Sequence, residues 1–394
     1  MGKKALIWGA SGVTGWSFVN EILNDYPEKG TWDSVTALTN RPLKQEDSLW
    51  PRDSRLQIVS GVNLLAGQED IEAALKEHVK DIDKITHAST DLQQEFKDAV
   101  TMFKQSTIAL DRLSPALEFV VLQTGAKIYG CHLLENHPTD YIHVPLAESM
   151  PRLKQPYHDL LFYHPQLDWI REYAKEKKWN WCDTRPDIII GFVPNQNAYS
   201  LAQSIALFLT LYAVVEGTGA ECPFPGTQKS WVAKSIDSSS DMIARQTIHL
   251  SLNLTAEPKG EAFNVADART WSTWSERWPQ ITKYFGLVGT GPTSTDKAPL
   301  EVRKYINDHI DTWRDLEKKY NLKQGVADSD LTFPGFERFL LTDFDFDRQY
   351  DMTKMYSTPP ENPFVEERST AETWGGVFDR MREGRLIPKD VKVE

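Results

Sequence analysis

Three glycines, each three residues from the next, follow a short apolar segment near the start of the chain. The apolar segment is at residues 4–8, and the glycines are Gly9, Gly12 and Gly15. This pattern predicts a strand that turns sharply into a helix, because glycine reaches backbone angles that other residues avoid. The turn would also bring bare backbone and the unpaired N–H groups of the helix to one point, which suits a phosphate. A tight turn without a ligand is the alternative interpretation.

The first half of the chain alternates strand-like and helix-like segments. Strands are predicted at residues 4–8, 34–39, 56–60, 84–87 and 119–123, and helices at 13–23, 70–80 and 92–113. Strands separated by helix-length segments need crossover connections, which build a parallel sheet with helices on both faces. We therefore predict an α/β fold with a doubly wound parallel sheet of the Rossmann type.

The second half of the chain is dominated by helical patterns. Helices are predicted at residues 165–177, 199–215, 237–251, 271–285, 301–319 and 370–385, strands at 181–184 and 262–265, and a loop at 323–347. The two strands are expected to rejoin the sheet. The predicted domains are a dinucleotide-binding domain at residues 1–195, with returning strand segments around 225–268, and a mostly helical substrate-binding cap at 196–224 and 269–394.

Composition excludes several classes of function. The 394 residues carry 44 basic and 56 acidic side chains, which give a formal net charge of −12 without the clustered Lys and Arg that nucleic-acid binding needs. The longest apolar run, residues 201–215, is shorter than the roughly 20 residues of a membrane span. Cys131, Cys182 and Cys222 are too scattered for a disulfide framework or a metal site, so we expect a cytoplasmic protein without a metal.

The residues after the second predicted strand bear on the choice of dinucleotide. NAD-specific proteins usually have Asp or Glu there, whereas this chain has Thr39, Asn40 and Arg41. A guanidinium group pairs with the 2′-phosphate of NADP, and a carboxylate would repel it. The pattern favours NADP(H) as the cofactor. A solvated arginine in a surface turn is the alternative.

Catalysis on this fold typically uses a tyrosine and a lysine four residues apart on one helix. Two such pairs occur, Tyr173 with Lys177 and Tyr350 with Lys354. The first pair lies in a charge-dense stretch and the second lies late in the chain, so neither is favoured. Lys127 is a better candidate, because it follows the fifth predicted strand and would emerge where open parallel sheets bind ligands.

Several motifs carry a resemblance to a known family. They are Leu-Gln-Thr-Gly-Ala-Lys-Ile-Tyr-Gly at 122–130, Pro-Arg-Leu at 151–153, Phe-Tyr at 162–163, Arg-Pro-Asp-Ile-Ile-Ile-Gly-Phe-Val-Pro at 185–194, Gly-Glu-Ala-Phe-Asn at 260–264 and Ile-Pro at 387–388. The chain resembles the progesterone 5β-reductase and iridoid synthase-like (PRISE) enzymes, an atypical branch of the extended short-chain dehydrogenases, in a fungal or microbial form. The resemblance covers most of the chain. It implies reduction by NADPH of a C=C bond conjugated to a carbonyl.

The resemblance also implies roles for individual residues. Tyr163 falls on the family's catalytic tyrosine and Lys127 on its catalytic lysine. Thr124 stands where ordinary members of the superfamily have a catalytic serine. His164 stands in place of a second family tyrosine, and an imidazole beside the catalytic phenol could act as an acid or base near neutral pH. The alternatives are a core aromatic for Tyr163, a surface lysine for Lys127, a residue that only shapes the strand end for Thr124, and hydrogen-bonded packing for His164.

The residues expected to bind the cofactor form one set. They are Gly9, Ser11, Gly12, Val13, Thr14, Gly15, Asn40, Arg41, Asn63, Gln123, Thr124, Pro186, Ile188 and Ile189. Asn63 is proposed as a partner of the adenine amine. The assignment of Ile188 and Ile189 to the nicotinamide carboxamide is implied by the resemblance alone.

The expected partner is an apolar small molecule, such as a terpenoid, steroid or polyketide, because the second half is rich in apolar and aromatic residues. A homodimer is left open, and neither nucleic acid nor a membrane is expected. Two other functions also stay open. One is a non-redox isomerase or cyclase on the same scaffold, and the other is a protein that binds NADP as a sensor without turnover.

Overall fold

The contacts of the chain group it into two compact units. A computed structural model describes residues 2–79, 82, 84–87, 95–134, 142–194, 199–254, 257–293, 300–328 and 335–390. The first unit comprises Met1–Asp187, Ser240–Ala266 and Asp351–Val365; the second comprises Ile188–Ser239, Asp267–Tyr350 and Glu366–Glu394. The domain limits drawn from the sequence remain a prediction, since a grouping by contacts does not test which parts fold independently.

The first unit is built on a seven-stranded parallel sheet. The strands of the chain are β1 Lys3–Trp8, β2 Trp32–Thr39, β3 Leu56–Ser60, β4 Lys84–His87, β5 Phe119–Gln123, β6 Asn180–Pro186, β7 Ile189–Ile190, β8 Glu221–Pro223, β9 Ser238–Ser239, β10 Glu261–Val265 and β11 Val288–Thr290. The sheet has the order β10-β6-β5-β4-β1-β2-β3. All its strand pairs are parallel. The predicted doubly wound Rossmann-type fold is therefore confirmed.

Helices account for most of the remaining regular structure. They are α1 Val13–Leu23, α2 Gln45–Ser48, α3 Gln68–Leu75, α4 Glu95–Leu113, α5 Tyr163–Tyr173, α6 Leu201–Glu216, α7 Gln228–Val232, α8 Ser240–Asn253, α9 Trp274–Lys283, α10 Val302–Asp308, α11 Ile310–Tyr320, α12 Phe336–Arg338 and α13 Thr370–Glu383. No helix within the described ranges combines the length and the apolar character needed to cross a membrane.

Most predicted helices are confirmed, and two predictions in the second half are corrected. The predicted helix at 301–319 is two helices, because His309 leaves helical geometry between α10 and α11 with φ −116° and ψ 24°. The predicted loop at 323–347 contains α12 and a π-helical turn at Phe339–Asp343. Residue 80 and residues 92–94, at the ends of two other predicted helices, lie outside the described residues.

The glycine-rich turn joins β1 to α1 by close backbone packing. Gly9 has φ +64°, which favours glycine, and its carbonyl accepts a hydrogen bond from the Gly12 N–H at 2.8 Å. A Cβ on Gly15 would lie only 2.3 Å from the Gly9 carbonyl oxygen. The start of helix α1 can therefore pack closely against the Gly9 carbonyl only because residue 15 has no side chain.

The second unit has a different organisation, with helices and two small parallel sheets. β7 pairs with β9, and β8 pairs with β11. α6 begins where the Ser200 side chain accepts the Gln203 N–H and ends at Gly217, whose φ is +93°. The residues of α6 are buried along almost its whole length. Its apolar character is therefore explained by the core of this unit.

A buried carboxyl group joins three segments of the second unit. The Asp267 side chain is 4% exposed and accepts hydrogen bonds from the Ser239 N–H at 2.7 Å and the Thr373 hydroxyl at 2.5 Å. Burial, together with the nearby charge of Asp237, raises the pKa of Asp267 to about 7 although its hydrogen bonds act in the opposite direction. The charged form of this side chain is therefore unfavourable in the folded protein.

We expect Gly15→Ala to destabilise the protein by about 1–3 kcal/mol, because the added methyl group must displace the Gly9 carbonyl. Gly376→Ala is the matched control, since a Cβ there meets no atom within 4 Å and alanine favours a helix. Urea unfolding of both variants measures the difference. Equal midpoints for the two variants would contradict the packing argument.

We expect Asp267→Asn to change how stability depends on pH. The folded pKa of about 7 lies above the ordinary 3.8, so the wild-type carboxyl group loses stability as pH rises from about 4 to about 7. The asparagine does not ionise, and it can still accept from Ser239 and donate to Thr373. The free energy of unfolding of Asp267→Asn, relative to that of the wild type, should therefore rise from about pH 4 to about pH 7 and then level off. Denaturant unfolding at several pH values measures this difference, and a difference that does not change with pH would refute the argument.

Candidate active site

The carboxyl ends of parallel strands lie along one edge of the sheet, and most predicted site residues follow such ends. The glycine turn follows β1, Asn40 and Arg41 follow β2, Asn63 follows β3, Gln123 and Thr124 are at the end of β5, and Pro186 ends β6. The chain order reverses beside β1, since β2 lies on one side of it and β4 on the other. Ligands bind in the crevice at such a switch point. Ile188 and Ile189 belong to the second unit, where β7 pairs with β9.

The β1 side of the edge fits the phosphates of a dinucleotide. The residue before α1 is Gly12, which is extended and has no side chain that could cap the helix N-terminus. Ser11 is half-buried, while Val13 and Thr14 are buried. The N–H groups of the first turn thus face the crevice without a capping side chain, as anion binding requires.

The middle of the edge fits a polar cofactor group. Gln123 is buried and donates from its side-chain nitrogen to the Thr14 hydroxyl at 3.1 Å, which ties β5 to α1. Its side-chain oxygen is also buried but accepts no hydrogen bond from the residues that the structure describes. A buried acceptor without a donor is costly, and an amide or hydroxyl of a bound cofactor would satisfy it.

The β2–β3 side carries the residues predicted to contact the adenosine end. Asn40 and Arg41 are exposed directly after β2, as is Asn63 after β3. The Thr39 and Ser60 hydroxyls, at the ends of these strands, are 2.8 Å apart. The side-chain oxygen of Asn63 accepts the Leu65 N–H at 3.0 Å, which holds the turn after β3.

The Tyr163 hydroxyl lies beside the turn after β5, and Lys127 follows that turn in the sequence. A Cβ on Gly125 would lie 3.6 Å from the Tyr163 hydroxyl and 3.3 Å from the Pro186 carbonyl oxygen. Lys127 is two residues further, in the 3₁₀ helix Ala126–Tyr129, and both side chains are half-buried. Tyr163 begins α5, whose first turn also holds Pro165, a residue that is tolerated there because its missing N–H is not needed.

The electrostatic surroundings keep the Tyr163 phenol protonated. Burial raises its pKa well above the usual value, and the negative charge of Asp183 raises it further. A protonated phenol donates a hydrogen bond and is a weak acid. Tyr163 is therefore suited to stabilise negative charge on a substrate oxygen.

A buried polar network lies behind this turn, and the sequence reasoning did not find it. The Thr124 hydroxyl donates to one Asp183 carboxylate oxygen at 2.5 Å, and the Arg185 Nε donates to the other at 2.8 Å. Arg185 also donates to the Tyr129 hydroxyl at 3.1 Å, which donates to the Asn264 side-chain oxygen at 2.6 Å. The sequence feature that could have revealed this network is the pair of charged residues Asp183 and Arg185. They lie two positions apart in a strand that is otherwise expected to be buried.

The two disfavoured tyrosine–lysine pairs have other environments. The Tyr173 hydroxyl and the Lys177 ammonium group both donate to Asp111, at 2.8 and 2.6 Å. Lys354 pairs with Glu261 at 3.1 Å in the first unit, whereas Tyr350 belongs to the second unit. Lys177 also lies over the Tyr173 ring, 4.5 Å from its centroid, so this pair is held at Asp111 and not at the turn after β5.

His164 is part of the packing under α5. Its ring is fully buried and stacks on His158, with ring centroids 4.3 Å apart. Neither ring nitrogen makes a hydrogen bond with the described part of the chain, so the packing is by stacking and not by hydrogen bonds. Burial lowers the pKa of His164 to about 4, and an imidazole that is neutral at pH 7 is a poor general acid.

Comparison with known proteins agrees with this geometry. A PRISE-like Rossmann-fold domain model matches residues 5–388. The short chain dehydrogenase ausT of Aspergillus calidoustus is 34% identical, over 99% of this chain and 95% of the relative. An (S)-8-oxocitronellyl enol synthase of Antirrhinum majus is 24% identical, over 98% of this chain and 92% of the relative.

Among solved structures, a UDP-glucuronic acid 4-epimerase from Bacillus cereus in complex with NAD has the same fold. The alignment has a TM-score of 0.56 at 14% identity and covers 96% of this chain and 99% of the epimerase. Rossmann-type neighbours of this kind bind nicotinamide dinucleotides. The glycine turn, the tyrosine at the β5 edge and the family match over nearly the whole chain show that this protein belongs to the PRISE-like Rossmann-fold family of short-chain dehydrogenase-like enzymes.

Proposed function

We propose that this protein is an NADPH-dependent reductase of a C=C bond conjugated to a carbonyl, or of the carbonyl itself, in an apolar small molecule. The observation that carries the proposal is the position of the Tyr163 hydroxyl beside Gly125. Gly125 comes two residues before Lys127, and it follows β5 at the edge of the sheet that also holds the glycine turn. The family match and the name of the Aspergillus relative support oxidoreductase chemistry.

The chemistry follows from where charge develops during the reduction. NADPH, when bound along the edge of the sheet, supplies the hydride. As the β-carbon of an enone is reduced, negative charge moves to the carbonyl oxygen, where hydrogen-bond donors stabilise it. Tyr163 offers a phenol O–H and Lys127 an ammonium group for this oxygen. The same two groups would polarise the carbonyl for direct reduction.

The proposed substrate is apolar and carries an enone or enal. The Antirrhinum relative is named as an enol synthase, and an enol is what an enal gives when its C=C bond is reduced and its oxygen is protonated. The substrate class inferred from the sequence, a terpenoid, steroid or polyketide, stays part of the proposal. The apolar helix α6 adds no support, because its side chains pack in the core of the second unit.

We expect Tyr163→Phe to lower the reduction rate by about 100-fold to 1000-fold, because one donor to the developing oxygen charge is lost. NADPH binding, measured by fluorescence titration, should be unchanged. The rate is measured as loss of NADPH absorbance with a panel of apolar enones and enals. Tyr173→Phe is the matched control, since the Tyr173 hydroxyl contacts Asp111 and is not at the turn after β5.

Each other outcome of this assay contradicts the proposal. Equal rates for Tyr163→Phe and Tyr173→Phe would remove Tyr163 from the mechanism. Product formation without NADPH consumption would favour the isomerase or cyclase. NADPH binding without any turnover would favour the sensor.

We expect Arg41→Glu to weaken NADPH binding by about 10-fold to 100-fold, because a charge-assisted contact to the 2′-phosphate is replaced by repulsion. NADH binding should change much less, since NADH has no such phosphate. Lys29→Glu makes the same charge change before β2, at the opposite edge of the sheet, and is the control. If fluorescence titrations show that Arg41→Glu weakens NADH binding and NADPH binding equally, Arg41 does not determine the choice of cofactor.

A further inference from the structure

Strand β6 contains two charged side chains in a fully buried segment. All seven of its residues are buried, and the exposed fractions of Asp183 and Arg185 are 1% and 9%. Residues two apart on a strand share a face, so the two charges lie together. Burial of charges is unfavourable unless each is paired and hydrogen-bonded, so the contacts of this pair are expected to be fixed.

The Asp183 carboxylate has one strong partner on each oxygen. Arg185 holds Oδ2 at 2.8 Å, and the Thr124 hydroxyl holds Oδ1 at 2.5 Å. The other acceptor near the Thr124 hydroxyl is the Thr184 carbonyl oxygen, at 3.5 Å, which is too long for a good hydrogen bond. The hydroxyl proton of Thr124 is therefore directed to Asp183.

This direction decides what Thr124 can offer to a substrate. A threonine hydroxyl has one proton, and a carboxylate can only accept it. The Thr124 backbone N–H is also used, since it donates to the Thr184 carbonyl at 2.8 Å. Both donors of Thr124 are thus committed inside the sheet, although Thr124 stands where ordinary members of the superfamily have a catalytic serine.

We propose that Asp183 is a positioning residue that accepts the hydrogen bond of the Thr124 hydroxyl and so leaves Tyr163 and Lys127 as the donors to the substrate oxygen. The inference rests on the proposed function, because it concerns the same oxygen. The charge of Asp183 has a second effect in the same direction, since it adds to burial in raising the pKa of Tyr163 and keeps the phenol proton in place.

Asp183→Asn should reverse the hydrogen bond to Thr124. Arg185 can only donate, so the amide oxygen of the asparagine must face Arg185 and its NH₂ group must face Thr124. The Thr124 oxygen then accepts, and its proton becomes free to act as a donor. Thr124→Val should accordingly lower kcat by a larger factor in Asp183→Asn, about tenfold, than in the wild type.

The experiment is a double-mutant cycle on kcat for NADPH-dependent enone reduction. Asp111→Asn is the matched control, as Asp111 is another carboxylate held by several donors. It should show no coupling to Thr124. Additive effects of Asp183→Asn and Thr124→Val would overturn the proposal.

A second measurement needs neither turnover nor a folded Asp183→Asn variant. A hydroxyl proton held on a carboxylate should give a downfield ¹H NMR signal that is lost in Thr124→Val and retained in Thr124→Ser. Absence of such a signal in the wild-type protein would overturn the role of Asp183. If the signal is present while no enone or enal is reduced, the hydrogen-bond assignment stands and the proposed reductase function fails.

Discussion

The parallel direction of the seven strands is the constraint on which the candidate site depends. Because every strand of the sheet runs the same way, the residues after β1, β2, β3, β5 and β6 lie along one edge although they are far apart in sequence. The reversal of strand order beside β1 opens a crevice at that edge. The glycine turn lies at the crevice, and only a residue without a side chain at Gly15 lets α1 approach the Gly9 carbonyl so closely.

A second constraint, the pairing of buried charge, fixes the turn that holds Lys127. The buried charges of Asp183 and Arg185 need hydrogen-bond partners, which they find in one another and in neighbouring side chains. Asp183 contacts Thr124, before Lys127 in the sequence, and Arg185 contacts Tyr129, after it. Tyr129 is held in turn by Asn264 on the edge strand β10. The network therefore spans β5, β6 and β10 and anchors both ends of the segment from which the lysine extends, which is how a site gains fixed geometry.

The sequence predicts those features that depend on local pattern. The glycine spacing, the order of strands up to β5 with the helices after β1, β3 and β4, and the position of Lys127 after β5 follow from periodicity and turn chemistry. Contacts between distant residues leave no such pattern. Asp111, which holds Tyr173 and Lys177, is more than 60 residues away from both, and Asp183 meets Thr124 across two strands. Strands of two or three residues, such as β7 and β11, are too short for any period to be seen.

The position of Asp183 also bears on the direction of the reaction. Oxidation of an alcohol needs a base, and a tyrosine serves as one only if its pKa is lowered toward neutrality. In this protein burial and a neighbouring carboxylate raise the pKa of Tyr163 instead. A phenol that holds its proton is a poor base but a good hydrogen-bond donor to an oxygen that gains negative charge. The charge of Asp183 on β6 thus acts in the direction that the proposed reduction of a carbonyl or an enone requires.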